Sequence, residues 1–461
     1  MRIKFLLLPA AIALAVSSCK DKTETTAKKD FLAEDIDSSI SPAKDFFEYA
    51  NGGWIKRNPI PADESSWGVG NLVQEDIYNR LKKINDDASA KKAAEGTIEQ
   101  KIGDFWYSGM DTVDIEKQGI QPLKEKLDEI NSIKNSADLI NVVADLHRLN
   151  TNVMFGDYVG QDDKNSEVMA YQLGQGGLGM PNRDYYFNTD ARTVGIRKGY
   201  QDYLEKTFVE LGNDSSAAKK ITKSVFDLET RLAKSSRKLA ALRDPEKNYN
   251  KISVDKLTSL CSNFNWPVYL QKIGITKLDS TIVGQPEFFS NLSTEIKITP
   301  IDVWKNYLKF HLIRASAPYL DSKTFTNYFD YLKLLTGALQ PRPRWKRVLD
   351  AEERSMGEAL GQLFVKQYFS EKAKKRYTDL VEAIRDAYKD RIKNLTWMSD
   401  STKQKALDKL SKITPKVGYP DKWKDFSAMK IGRVPFVINM ESAAEWWHNY
   451  NINKLGKPVD R

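Results

Sequence analysis

Three histidines, His147, His311 and His448, are the only imidazoles in the 461 residues, and their spacing limits the chemistry at once. Zinc-assisted hydrolysis needs three protein ligands and an open position for water. A helical H-E-x-x-H supplies two of those ligands on one helix face, with the glutamate as base. That motif is absent and no two histidines stand four apart, so no catalytic residue and no metal ligand is assigned. Glu445 and His448 come nearest, because a spacing of three puts both on one face and resembles half of a carboxylate di-metal site. The other half is missing and Trp446 and Trp447 stand between them, so a polar helix edge is the reading. His147 and His311 fall in amphipathic stretches, where a satisfied or exposed histidine is the ordinary expectation. Cys261 lacks a local histidine to activate it and reads as a small buried apolar side chain. Gly174, Gly176, Gly177, Gly179 and Pro181 forbid regular structure, and without a strand-glycine-helix order and a following lysine they form a loop, not a phosphate cradle.

The other cysteine, Cys19, has a different setting. Arg2 and Lys4 precede the apolar run from Phe5 to Val16, which is too short to span a bilayer and reads as a secretory signal. Val16, Ser17, Ser18 and Cys19 then resemble the bacterial lipoprotein box, which implies acylation of Cys19 and an exported lipoprotein of the cell envelope. Several acyl chains on one cysteine make such an anchor stable. Residues 1–18 are therefore the signal peptide. Residues 19–43, polar and poor in large apolar side chains, form a flexible tether. With Cys19 acylated, Cys261 has no partner and no disulfide framework exists. The net charge of +9 is spread among 62 acidic residues. The densest basic cluster, Arg342, Arg344, Trp345, Lys346 and Arg347, reads as a solvated helix start with Trp345 packed inward, and export argues against nucleic acid as a partner.

The whole chain is 41% hydrophobic and 11% aromatic, ample for a large core in the body that follows. Helical spacing dominates it. Tyr377, Leu380, Val381, Ile384, Tyr388, Ile392 and Leu395 recur at three and four within 372–395, the pattern of a long amphipathic helix. Ser399, Asp400 and Ser401 offer caps for a second helix with Ala406, Leu407, Leu410 and Ile413 inward and Pro415 at its end. Like patterns predict helices over 116–133, over 136–149 with Ser136 as cap, and over 220–242. Two short apolar runs, 153–159 and 168–173, joined by the polar turn 161–166, predict a β-hairpin.

Several segments together resemble the neprilysin and endothelin-converting enzyme family of zinc metallopeptidases. They occur in family order: DFFEYANGGWIKR (45–57), KIGDFWYSGMD (101–111), GLGMPNRDYY (177–186), LETRLA (228–233), DPEKNY (244–249), WKNYL (304–308), RWKR (344–347), MGEALGQL (356–363), WMSDSTKQKALDKL (397–410) and KVGYPDKW (416–423). Each is weak alone; ten in order are specific. The resemblance implies a mainly α fold, the large helical lobe of a neprilysin-like peptidase with a small β-hairpin element. It implies a helical domain over 44–425 and a linker over 426–461 towards a zinc catalytic lobe whose ligands this chain does not contain. Zinc is then the cofactor of the complete enzyme and is not bound by this chain. Small peptides are the substrates, the membrane is met through lipid on Cys19, and this chain alone is expected to be inactive. Some relatives place carboxylate-binding arginines near the positions of Ser66 and Gln74; neither is arginine here, which leaves endopeptidase action as the family default. Two readings stand beside this one: a non-catalytic peptide-binding lipoprotein made of the helical lobe alone, and a helical glycan-capture lipoprotein.

Overall fold

The computed structural model describes residues 32–459. The expected signal segment 1–18, the expected lipid-attachment residue Cys19 and positions 20–31 of the expected tether lie outside the described residues. Two compact units divide the chain, Met1–Pro61 and Ala62–Arg461. In the first, helix α1 (Phe46–Arg57) starts where the Asp45 carboxylate accepts the Glu48 N–H. Lys56 and Arg57, in its last turn, each lie 2.6 Å from a carboxylate, Asp37 and Asp35 respectively. Residues 32–43, read as the end of the tether, thus carry turns held to α1 by ion pairs.

The second unit begins with α2 (Val69–Lys91), α3 (Ile98–Met110), α4 (Thr112–Gln118), α5 (Lys124–Ser132) and α6 (Ser136–Arg148). The single helix expected over 116–133 is interrupted, because Gly119 takes a φ of +53° and Pro122 starts a 3-10 turn, Gln121–Leu123. Asn135 caps α6, accepting the Ala137 and Asp138 N–H groups, and Ser136 is the first helical residue. Strands β1 (Phe155–Asp162) and β2 (Asn165–Gln175) form the expected hairpin, with Phe155 opposite Gln175. Next come α7 (Asp184–Phe187), α8 (Ala191–Glu210), α9 (Ser215–Ser235), α10 (Leu239–Leu242), β3 (Asn250–Ser253), α11 (Val254–Leu260), α12 (Trp266–Lys272), β4 (Ser280–Val283), α13 (Pro286–Ile298), α14 (Ile301–Ser316), α15 (Ser322–Thr336) and α16 (Arg344–Tyr368). The helix expected to run to 242 ends at Ser235, since Ser236 is extended and the half-exposed Leu239 belongs to the separate α10. Strands β3 and β4 extend the hairpin to a four-stranded sheet of order β1-β2-β4-β3, leaving β1 at one edge. Both added strands have four residues, too few for alternation to announce them. The fold is mainly α with one small sheet, as expected.

The remaining helices are α17 (Glu371–Lys393), α18 (Asp400–Ser411) and α19 (Phe436–Ile452). Ser399 caps α18 by accepting the Thr402 N–H, so the predicted helical hairpin forms. Its expected inward burial does not: Tyr377, Leu380, Ile384 and Tyr388 are each about half exposed, and Ile413 likewise. A 3.6-residue period selects a face for the apolar side chains but cannot supply what covers it. Two cores occupy the second unit. One gathers Trp266, Trp304, Tyr200, Tyr307 and Phe155 from the middle helices and the sheet. The other gathers Leu81, Ile84, Phe105, Leu349, Met356 and Phe436 from α2, α3, α16 and α19. Helix α16 breaks at Met356, whose φ of −148° and ψ of 43° are not helical. No described helix is long and apolar enough to cross a membrane.

Candidate functional site

Three of the motifs meet around one carboxylate. Glu229 on α9 is fully buried. Its oxygens accept the Tyr186 hydroxyl at 2.7 Å, the Tyr200 hydroxyl at 2.8 Å and His311 Nε2 at 2.9 Å. Burial pushes both phenols well above their ordinary range and lowers the His311 imidazole, so at neutral pH all three are neutral donors. The glycine loop lies directly on this cluster. Tyr307 donates to the Gly177 carbonyl at 2.6 Å and accepts the Met154 N–H at 2.8 Å. At Gly179 a Cβ would overlap the Tyr200 hydroxyl, so only glycine lets the backbone approach. Gly174, expected in the loop, instead pairs with Gly156 inside β2, and from Gly176 onward the glycine-rich stretch is a clamped loop that fixes the start of the hairpin.

That clamp adjoins a cavity of about 590 Å³ between the hairpin, the end of α6, α16 and α19. The backbone around it is strained: Asn150 and Met154 hold φ of +57° and +55°, uncommon for residues other than glycine. His147 stands in its wall, with Nε2 2.8 Å from the Val153 carbonyl and Nδ1 2.6 Å from the Tyr269 hydroxyl. The carbonyl can only accept, so Nε2 carries a proton, while Nδ1 pairs with the Tyr269 hydroxyl, whose phenol burial holds well above its ordinary range. Tyr171 donates to Asp157 on β1 at 2.9 Å, and the other Asp157 oxygen lies 3.4 Å from His147. His448, on α19, faces the Ile273 carbonyl through Nε2 at 2.8 Å, and burial lowers its pKa. Arg354 and Ser355 close the cavity from α16, directly before the break at Met356.

The other residues singled out by sequence have definite places. Glu445 engages Arg148 in an ion pair, so the Glu445 and His448 pair is divided between two separate contacts. His147 and His311 are both buried and hydrogen-bonded, and in different clusters. Cys261 is fully buried, its thiol pushed up to about 12 by desolvation. The basic cluster is consumed inside the fold: Arg342 pairs with Asp350 at 2.8 Å, Lys346 with Glu75 at 2.5 Å, Arg344 donates to the Gly109 carbonyl, and Arg347 lies 3.8 Å over the Phe325 ring. Trp345 is half-buried, edge-on to Tyr78. Ser66 and Gln74 are exposed, just before α2 and in its second turn. Among the described residues no three His, Cys, Asp or Glu side chains converge as a metal site. The donor set among the described residues therefore does not fit a zinc ion. Asp157, Tyr171, Tyr269 and Arg354 carry no motif that periodicity or spacing could have marked.

The fold and the motif cluster define the class. The family model of peptidase family M13, for its N-terminal region, matches residues 42–420, and the chain belongs to that family. It corresponds to the N-terminal region of a neprilysin-like zinc metallopeptidase. Endothelin-converting enzyme 1 of Rattus norvegicus is 30% identical over 406 residues, covering 85% of this chain and 52% of that protein. Neprilysin-3 of Drosophila melanogaster is 29% identical over 472 residues, covering 96% of this chain and 60% of that protein. Among solved structures, the zinc metalloprotease Zmp1 of Mycobacterium tuberculosis in complex with an inhibitor superposes with a TM-score of 0.86 at 32% identity, over 93% of this chain and 65% of that one. The chain spans about half the length of the curated endothelin-converting enzymes it matches.

Proposed function

We propose that this chain forms the helical lobe of a zinc metalloendopeptidase that cleaves short peptides, held at the bacterial cell envelope by lipid on Cys19. In this reading the zinc ligands are supplied from outside the described residues, and the helical lobe shapes which peptides reach them. The observation that carries it is the match to Zmp1 along nearly the whole chain, together with a described donor set that does not fit zinc. The half-exposed stripe of Tyr377, Leu380, Ile384 and Tyr388 on α17 supports a surface that takes a protein partner. One feature favours the second reading, a non-catalytic peptide-binding lipoprotein: a concave site of about 590 Å³ lies between the hairpin, α6, α16 and α19.

The test is direct. The purified chain, loaded with zinc, is offered quenched fluorescent peptides of five to ten residues; no cleavage is expected from this polypeptide by itself. Zinc-dependent cleavage abolished by a chelator would overturn the placement of the metal outside it. Mass spectrometry of the protein extracted from bacterial envelopes should show a diacylglyceryl group on Cys19. A Cys19→Ser variant that remained in the membrane fraction would refute the anchor.

A further inference from the structure

The cavity's two charged walls carry a more specific inference, which rests on the peptide-handling reading above. Strand β1 pairs with β2 on one side only, and Phe155, Gly156, Asp157, Tyr158 and Val159 of β1 line the cavity. An edge strand offers unpaired backbone N–H and C=O groups, which an extended chain can meet with its own. Asp157 puts a carboxylate on that wall.

The facing wall holds a cation without a partner. Arg354 on α16 is exposed to the cavity, and among the described residues its guanidinium makes no hydrogen bond or ion pair; its neighbour Glu353 is in electrostatic reach but not in contact. Other arginines near the cavity differ, Arg148 being committed to Glu445. A free guanidinium in a concave site is suited to bidentate recognition of a carboxylate. About 590 Å³ lies within the range of small-ligand sites and holds a few amino-acid residues. The break at Met356 and the strained Asn150 and Met154 fix both walls in non-standard backbone, as binding sites commonly do.

We propose that this cavity captures the free ends of a short zwitterionic peptide: the chain adds to the edge of β1, its C-terminal carboxylate meets Arg354 and its N-terminal ammonium meets Asp157. Backbone groups for a strand edge, one terminal anion and one terminal cation occur together in unblocked peptides and in no other common class of oligomer. Side chains on alternate positions would then point towards Trp447 and Met440 of α19. Site choice is set by peptide length and free termini more than by sequence.

Isothermal titration of the purified full chain with the tetrapeptide Ala-Phe-Ala-Phe, its C-terminal amide and its N-acetyl form tests this. Amidation should weaken binding at least tenfold, and Arg354→Gln should do the same to the free peptide while leaving the amide no weaker than before. Asp157→Asn should remove the preference for the free amine over the acetylated form. Hydrogen exchange at the amides of residues 156–159 should slow when the free peptide binds, a readout that a merely structural role of Arg354 would not move. Equal binding of all three peptides, or binding insensitive to Arg354→Gln with unprotected β1 amides, overturns the proposal and leaves peptide handling elsewhere on the lobe intact. Failure of the parent chain to bind any of the three overturns the cavity's role together with the peptide-binding reading, since no other described site has been assigned to peptide.

Discussion

Replacing Glu229 by glutamine probes the cluster on which the site rests. The carboxylate accepts from three neutral donors, and none of these groups is exposed enough to find water instead: Tyr186, Tyr200 and His311 are at most 4% exposed and Glu229 is at 0%. An amide keeps the volume but offers one acceptor oxygen and turns two N–H donors towards groups that themselves donate. If its oxygen serves Tyr200 and His311, the amide nitrogen faces the Tyr186 hydroxyl, which already accepts the Met180 N–H at 3.2 Å. At least one buried donor is then orphaned, at about 1–3 kcal/mol, and the surviving bonds lose their charge-assisted share. The expected loss is about 2–4 kcal/mol. Glu229→Ala should cost more, because it orphans all three donors and leaves a cavity. Tyr186→Phe, which removes one donor and leaves the carboxylate its other two, should cost about 1–2 kcal/mol. The measurement is urea unfolding followed by circular dichroism, with the midpoint shift multiplied by a common slope. Glu229→Gln within about 0.5 kcal/mol of the parent, well below the usual cost of orphaning a buried donor, would refute the claim that this cluster holds α8, α9 and α14 together.

Two further perturbations are predicted with opposite signs. Glu352 on α16 is fully buried with no ion pair among the described residues and only the Asn85 amide beside it, and desolvation raises its pKa well above the usual carboxylate range. Its contribution is therefore fully present below the unfolded pKa near 4.5 and lost as pH rises towards the folded value, so Glu352→Met should stabilise by about 1–3 kcal/mol at pH 8 and by less at pH 5. A stability difference independent of pH, read from thermal melts at both values, would count against it. Gly179→Ala should destabilise by at least about 2 kcal/mol, since its Cβ displaces the Tyr200 hydroxyl from Glu229, and should perturb the near-ultraviolet aromatic signal; an unchanged spectrum and melting point would contradict the clamp.

Legibility in the sequence followed the range of the interaction. Caps and helix periods are local, so Ser399 marked the start of α18 and the spacing of Leu380, Ile384 and Tyr388 marked α17 before any contact was known. Where a local signal was overridden, the cause was one or two residues: Gly119 and Pro122 divide the helix expected over 116–133. Three of the ten motifs serve one cluster, GLGMPNRDYY supplying Gly179 and Tyr186, LETRLA supplying Glu229, and WKNYL supplying Tyr307. The cavity was illegible for the converse reason. Asp157 lies far from Arg354 along the chain and belongs to a strand whose edge location depends on β4, a four-residue segment with no periodicity of its own. Arg354 looks, in sequence, like any other cation on a charged helix face; only the fold shows that Lys346 and Asp350 of α16 find partners while it faces open space. A charged residue without a partner is a property of the assembled walls, and it becomes visible only after the long-range contacts between α16, α19 and the hairpin are known.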